Sequence, residues 1–273
     1  PHGGGPSGKS VQSSHAALTR RTMLNDVTLL IKTFGRPGAL SRLLDSIRAS
    51  AFDGPILIAD DSEVPYRKAI LEAYSDLVTE YLCLPFNVGL SAGRNALLDR
   101  VQTPYFVLND DDFVYGPETN LAWMRTQLAT TDLDLLGGIV REPEQIRWSR
   151  LRQPTIKKTA RALYRTARTL LRTAWGNAYS INRFHGTIER KNGTVALTHN
   201  DAPNASPYRR CDYVLNFFMA KTDAVRSKVG GWAPELKLQE HWEFFYRAQQ
   251  GGLRVAHTDD VAVFHHPDRT PHY

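Results

Sequence analysis

Short apolar runs alternate with amphipathic segments between residues 27 and 112 of the chain. The run VTLLIKT at residues 27–33 is soon followed by Gly-Arg-Pro, which predicts a buried strand and then a loop. Residues 38–50 place three leucines and an isoleucine at the spacing of one helix face, which predicts a helix. The alternation continues with strands at 55–60, 79–85 and 104–110 and with helices at 66–77 and 91–101. Four strands separated by helices predict an α/β fold with a mostly parallel sheet and helices on both faces.

The second half of the chain continues this pattern less regularly. A helix after residue 121 and the strand DLDLLGGIV come first, and the strand GTVAL follows much later. The apolar run YVLNFFMAKTDAV, the helix QEHWEFFYRAQQGG and the strand VAVFHHP complete the series. No internal repeat divides it, so we expect one domain over residues 25–273 that carries an insertion at 142–207.

Polar side chains gather where the predicted strands end. Thr33 and Arg36 follow the first strand, Asp60 and Asp61 end the second, and three consecutive aspartates at residues 110–112 end the fourth. Ligands of parallel α/β sheets bind outside the carboxyl ends of the strands. We therefore expect a binding site at this edge of the sheet.

Asp110, Asp111 and Asp112 are the strongest chemical signal in the sequence. Like charges at close range raise one another's pKa, so three adjacent carboxylates require neutralisation. A divalent cation supplies it, since Mn²⁺ and Mg²⁺ take oxygen ligands and bridge carboxylates to phosphates. The position of the triplet after a buried strand predicts a site for Mn²⁺ or Mg²⁺ that binds a nucleotide diphosphate.

Composition and charge narrow the class of protein. The net charge of +6 and a pI near 9.3 favour an acidic partner, and 42% hydrophobic residues suffice for a core. Residues 1–24 lack any period and predict a disordered leader or a cloning remnant. The two cysteines, Cys83 and Cys211, give no disulfide framework and leave one bridge open. No apolar run reaches the roughly 20 residues of a spanning helix, which predicts a soluble domain.

A basic stretch lies within the predicted insertion. Between residues 147 and 172 nine lysines and arginines occur without an acidic residue, and the apolar positions from 156 to 171 keep helical spacing. Such a helix suits a membrane surface or an anionic acceptor, and a solvated helical face is an equally good interpretation.

Seven blocks in order carry a family resemblance from about Val27 to His266, outside residues 142–207. They are VTLLIKTFGRPGALSRLLDSIR, ILIADDSE, GLSAGRNALLD, YFVLNDDDFVY, LDLLGGIVRE, VLNFFMAKTDAVR and HWEFFYR. Together they resemble the catalytic domain of the ganglioside β-1,4-N-acetylgalactosaminyltransferases and bacterial relatives, inverting glycosyltransferases of the GT-A fold. The resemblance implies transfer from a UDP-sugar, with N-acetylhexosamine or galactose favoured, to a glycan, glycolipid or glycoprotein acceptor.

The resemblance also assigns roles to residues. It implies that the metal is held by Asp110, Asp112 and His265, the last of these at the end of the strand VAVF. It implies donor binding by Thr33, Arg36, Asp60, Asp61, Arg94, Asp110 and Asp111.

The catalytic base falls in the segment from Glu240 to Glu243. Inverting transfer needs a group that accepts the proton of the acceptor hydroxyl. Related enzymes carry an acidic E-D-x-E pattern here, whereas this chain has His241 at the place of the aspartate. Glu240, His241 and Glu243 all stay candidates, with an acidic residue favoured. Trp232 and Trp242 are candidate platforms for an acceptor sugar.

The sequence also suggests other functional classes and two cellular locations. A nucleic-acid-binding module fits the basic pI, although no zinc-finger or RNA-recognition signature occurs, so nucleic acid is a poor candidate partner. A pseudoenzyme that only binds sugar nucleotides fits His241. A nucleotidyltransferase would need a Gly-rich loop after the first strand, which KTFGRP is not. We expect a membrane-associated cytoplasmic enzyme from a bacterial source, or a Golgi enzyme anchored outside this sequence from a eukaryotic one.

Overall fold

The computed structural model describes residues 23–143, 179–200, 202–203, 207–238 and 240–267. The predicted leader up to residue 22 and the basic stretch at 147–172 lie outside the described residues. In the described ranges, no helix has the length and apolar character needed to cross a membrane.

The described elements follow the predicted order along the chain. The helices are α1 (Pro37–Ser50), α2 (Arg67–Tyr74), α3 (Leu90–Leu98), α4 (Leu121–Thr130), α5 (Thr222–Lys228) and α6 (Glu240–Gln250). The strands are β1 (Val27–Thr33), β2 (Ile56–Asp60), β3 (Glu80–Cys83), β4 (Tyr105–Asp110), β5 (Phe113–Val114), β6 (Leu135–Pro143), β7 (Tyr179–Asn182), β8 (Gly186–Lys191), β9 (Thr194–His199), β10 (Arg209–Cys211), β11 (Phe218–Lys221) and β12 (Val255–His265).

A mixed central sheet organises the described residues, in the order β10-β12-β6-β11-β4-β1-β2-β3. The strands β4, β1, β2 and β3 run parallel, as the alternation with helices predicts. The strand β11 lies antiparallel between β4 and β6, and β12 runs parallel to β6. The predicted α/β fold is thus confirmed; the sheet is parallel across β3, β2, β1 and β4, and it is mixed beyond β4 because β11 runs antiparallel to both of its neighbours.

Helices cover both faces of the sheet because the buried strands are apolar on both sides. Leu29 and Ile31 of β1 pack with α1, α2 and α4, whereas Leu30 packs with α3, α5 and α6. Successive side chains of a strand point to opposite faces, so one continuous apolar run supplies two cores. Because both faces of these strands are packed in the two cores, the strand ends that carry the polar residues are held in place.

The predicted insertion is partly integrated into the fold. Its strand β7 pairs with β6 and so extends the central sheet, while β8 and β9 form a separate hairpin. Every residue of β9, which overlaps the predicted strand GTVAL from Thr194 onward, is exposed. The boundary at residue 142 therefore cuts through β6, which continues to Pro143.

Candidate active site

The aspartate triplet lies at the carboxyl edge of the sheet, as predicted. Asp110 is the last residue of β4, and Asp111 and Asp112 form the connection to β5. Thr33 of β1 pairs with Asp60 of β2 at the same edge. Asp111 and Asp112 are buried, whereas Asp110 is half-buried.

Asp111 is held by the residues that follow β1. Thr33 Oγ1 donates to Asp111 Oδ2 at 2.7 Å, and the Arg36 guanidinium donates to both carboxylate oxygens. Burial raises the pKa of Asp111 to about 7, against the opposing charge of Arg36. Asp111 therefore ties the β1 loop to the aspartate triplet.

Asp112 faces both Arg36 and His265. Arg36 Nη1 donates to Asp112 Oδ2 at 2.7 Å, and His265 Nε2 lies 3.2 Å from the same oxygen. Burial alone would raise the pKa of Asp112, but the hydrogen bond from His265 and the charge of Arg36 hold it below its ordinary value. The end of β12 is fixed beside the triplet because His266 N donates to the Asp112 carbonyl at 2.8 Å.

His265 is held from its other ring nitrogen by Glu142, a residue that the sequence did not single out. Nδ1 lies 2.7 Å from Glu142 Oε2, and the ring makes an edge contact with Phe113 at 5.9 Å between centroids. Burial would lower the pKa of His265, but the hydrogen bonds with the two carboxylates raise it to about 10. Glu142 reaches His265 through the pairing of β6 with β12, which no local sequence pattern indicates.

The side chains at this edge fit a divalent cation that shares its shell with a ligand. In the described ranges, no three histidine, cysteine or acidic side chains converge into a metal site by themselves. Asp112 and His265 nevertheless present an oxygen and a nitrogen to one another. Cations bound with phosphates commonly take only one or two protein carboxylates. Asp110, the third predicted ligand, is directed to other partners.

Arg94 of α3 connects Asp110 to the start of α6. Its side chain is 1% exposed, and its Nη2 donates to Asp110 Oδ1 at 3.1 Å while Nη1 donates to Glu240. Asn216 donates to the other oxygen of Asp110 at 3.3 Å. Burial raises the pKa of Asp110 despite the charge of Arg94. The structure therefore brings the predicted donor residue Arg94 and the base candidate Glu240 together with the triplet.

Asp60 and Asp61 are bound by the protein itself. Asp60 accepts hydrogen bonds from Ser62, the Tyr66 amide and the Tyr81 hydroxyl. Asp61 pairs with the buried Lys32 and accepts from the Gly89 amide at 2.9 Å. In this arrangement both carboxylates shape the loops after β2 and before α3. Their predicted contact with the donor stays a prediction.

The three base candidates have separate environments. Glu240 is buried against Arg94, and Glu243 forms an ion pair with Arg247, which also binds the carbonyls of the loop before α6. The half-buried His241 directs Nε2 to the Val214 carbonyl. Burial and the nearby charge of Arg94 lower the pKa of His241 to about 3. Of the three, only Glu240 contacts a group that also binds the triplet.

Aromatic residues around the site divide into buried and accessible ones. Trp232 is 2% exposed and stacks on Phe244, so its suggested role as a sugar platform is wrong. Trp242 is half-buried and makes an edge contact with Phe184. Phe86, 59% exposed, lies 5.9 Å from Phe34 after β1, a pair that only the fold reveals.

Comparison with known proteins identifies the family of the chain. A family model described as glycosyl transferase family 2 matches residues 28–190, more than half of the chain. Human β-1,4 N-acetylgalactosaminyltransferase 1 is 34% identical over 240 residues, which cover 88% of this chain and 38% of the human protein. Mouse β-1,4 N-acetylgalactosaminyltransferase 2 is 32% identical over 253 residues, with coverage of 92% and 41%. The chain thus spans about two fifths of the length of these relatives.

Solved structures share the fold at low sequence identity. The crystal structure of S. aureus TarS 1–349 superposes with a TM-score of 0.57 and 14% identity, covering 88% of this chain and 60% of that one. The TarS 1–349 complex with UDP-GlcNAc gives a TM-score of 0.57 and 14% identity, covering 90% of this chain and 60% of that one. The predicted GT-A fold and the predicted resemblance are both confirmed. The chain belongs to glycosyl transferase family 2.

Proposed function

We propose that this chain is a metal-dependent inverting hexosyltransferase that moves a sugar from a UDP-sugar to a hydroxyl group of an acceptor. The observation that carries the proposal is a set of contacts at one sheet edge. Asp112 pairs with His265, and beside this pair Arg94 contacts both Asp110 and Glu240. This set of contacts joins a metal-compatible pair to a buried carboxylate.

Relatives support the choice of donor. Two of them are named N-acetylgalactosaminyltransferases, and TarS has been solved with UDP and with UDP-GlcNAc. We therefore favour a UDP-N-acetylhexosamine, with UDP-galactose as the second choice. The acceptor is a glycan, a glycolipid or a glycoprotein.

Asp112 and His265 are the proposed protein ligands of Mn²⁺ or Mg²⁺. When bound, the cation offsets the charge that builds on the leaving diphosphate. Arg36 and Arg94 add fixed positive charge on either side of the triplet, and both guanidinium groups suit phosphate oxygens. Thr33 and Asp111 hold the β1 loop in place, and Phe34 with Phe86 offers an apolar face to the nucleobase.

Glu240 is the proposed base. It accepts the proton of the acceptor hydroxyl while that oxygen bonds to the anomeric carbon and the bond from this carbon to the diphosphate oxygen breaks, which releases UDP. A histidine whose pKa is near 3 is a weak base, which disfavours His241. Glu243 is better explained as the anchor of Arg247. Before transfer, Glu240 must exchange its contact with Arg94 for the acceptor.

The proposal for the acceptor rests on the positive charge of one segment. The basic stretch at 147–172 lies outside the described residues, and its composition favours an anionic acceptor or a peripheral contact with a membrane surface. Such a contact accords with a location at the cytoplasmic membrane or, for an anchored eukaryotic protein, in the Golgi lumen.

A screen of UDP-sugar hydrolysis tests the proposed function. The chain is incubated with UDP-GalNAc, UDP-GlcNAc, UDP-galactose and UDP-glucose in the presence of Mn²⁺, and released UDP is measured. We expect one N-acetylhexosamine donor to be hydrolysed and EDTA to abolish the release. Equal release of UDP with and without EDTA would contradict the proposal. The proposal would also fail if no donor released UDP and no binding of UDP could be detected.

A further inference from the structure

Glu142 and His265 meet because two neighbouring strands run in the same direction. The strands β6 and β12 are parallel, and Phe264 is aligned with Arg141. The next residue on each strand therefore reaches the same edge, where Glu142 Oε2 lies 2.7 Å from His265 Nδ1. Neither residue is adjacent to the other in sequence, so the contact depends on the completed sheet.

The His265 ring is constrained on three sides. Glu142 binds Nδ1, Asp112 Oδ2 lies 3.2 Å from Nε2, and the Phe113 ring lies nearly perpendicular to the His265 ring. Glu142 is half-buried, and its side chain is 34% exposed. A rotation of the ring about its bond to Cβ would break both polar contacts at once.

A histidine that binds a metal almost always donates its other ring N–H to a carboxylate, carbonyl or water. That contact fixes the tautomer, directs the free nitrogen to the metal and makes it a stronger ligand. Glu142 makes such a contact with His265 Nδ1, while His265 Nε2 is directed to the Asp112 carboxylate.

We propose that Glu142 is the positioning residue that holds His265 with Nε2 directed toward the Asp112 carboxylate and thereby sets the divalent-cation affinity of the site. The inference rests on the proposed function in one respect, namely that Asp112 and His265 bind the cation. In this proposal Glu142 acts through its contact with His265 and not as a ligand of the cation. A surface ion pair without this role would contribute little to stability and nothing to cation binding.

The test measures Mn²⁺ affinity in the presence of UDP, from the electron paramagnetic resonance signal of free Mn²⁺. The variants are Glu142→Ala, Glu142→Gln and His265→Ala. The control is Glu118→Gln, which removes the neighbouring charge that pairs with Arg141. Circular dichroism and thermal unfolding of each variant confirm that the fold is retained.

We expect Glu142→Ala to weaken Mn²⁺ binding about 10- to 100-fold, the usual effect of losing such a partner. Glu142→Gln should recover much of the affinity, since its amide oxygen still accepts from Nδ1, and Glu118→Gln should bind as the wild type does. If Glu142→Ala keeps wild-type affinity while His265→Ala loses it, the cation site stands and the role of Glu142 is refuted. If the wild type binds no Mn²⁺ with UDP, the proposed metal dependence fails, and the inference with it.

Discussion

Single residues at the sheet edge combine charge neutralisation with positioning. Arg36 contacts both Asp111 and Asp112, and Arg94 contacts both Asp110 and Glu240. Two arginines therefore offset part of the charge of three aspartates and one glutamate that would otherwise repel one another. In the proposed function, these arginines exchange a carboxylate contact for a phosphate oxygen of the donor.

The proposal for the base predicts a ranking of three variants. Glu240→Gln should lower kcat and kcat/KM about equally, by about a hundred- to ten-thousandfold, because a base acts only in the transition state. Glu243→Gln and His241→Asn should retain far more turnover. Kinetics at saturating donor check the ranking, and calorimetric donor affinity controls for binding. If His241→Asn alone is inactive, the base is the histidine and the assignment to Glu240 is wrong.

His241 should also limit stability in acid. Its pKa is lowered to about 3 by burial and by Arg94, so between about pH 6.5 and 3 the unfolded chain binds a proton that the folded chain does not. The free energy of unfolding should therefore fall as the pH falls through this window, by up to about 1.4 kcal/mol per pH unit.

His241→Gln removes this contribution and should flatten the pH dependence of urea unfolding below pH 6.5. The exposed His199→Gln is the control and should leave the slope unchanged. An unchanged slope in His241→Gln would show that His241 takes up its proton in the folded chain.

Among the elements, α3 packs closely against β1 beside the site. Its Gly93 faces the buried Lys32, and a Cβ there would lie 2.3 Å from Lys32 Cδ. Lys32 pairs with Asp61, which in turn binds the Gly89 amide just before α3. The absence of a side chain at Gly93 thus lets β1 and α3 approach closely enough to carry this ion pair.

Gly93→Ala should destabilise the fold by about 1–3 kcal/mol, the usual cost of overpacking. Gly38→Ala in α1 is the matched control, because a Cβ there meets only Arg42 Nη1 at 3.9 Å. Urea unfolding of both variants compares the two helices. Equal stability of the variants would mean that Lys32 moves aside without cost.

At the scale of the whole molecule, local patterns predicted more than distant pairings. The alternation of strands and helices up to residue 112 predicted β1 to β4 and placed Thr33, Arg36 and the triplet at one edge, because each signal is local. The strand β12 begins at Val255, earlier than predicted, since its polar residues 257–260 interrupt the apolar run and the register shifts there. The contact between Glu142 and His265 and the contact between Arg94 and Glu240 each join residues far apart in sequence. Local patterns therefore did not predict them.

The basic stretch at 147–172, which lies outside the described residues, gives a prediction for the proposed transfer reaction. Charge reversal of Lys157, Lys158 and Arg161 should raise the KM for an anionic acceptor, because these cations would no longer attract it. Donor hydrolysis should be nearly unchanged. Lys68→Glu, on the exposed face of α2, is the control. A loss of donor affinity in the triple variant would assign the stretch to the nucleotide site instead.

The central claim is that Asp112 binds the cation on which sugar transfer depends. Turnover of the preferred UDP-sugar as a function of Mn²⁺ concentration tests it most directly, in the wild type, in Asp112→Ala and in the control Asp132→Asn, whose exposed side chain pairs with Arg210. We expect Mn²⁺-dependent turnover in the wild type and the control, and none in a folded Asp112→Ala. Full turnover of Asp112→Ala in excess EDTA would contradict it.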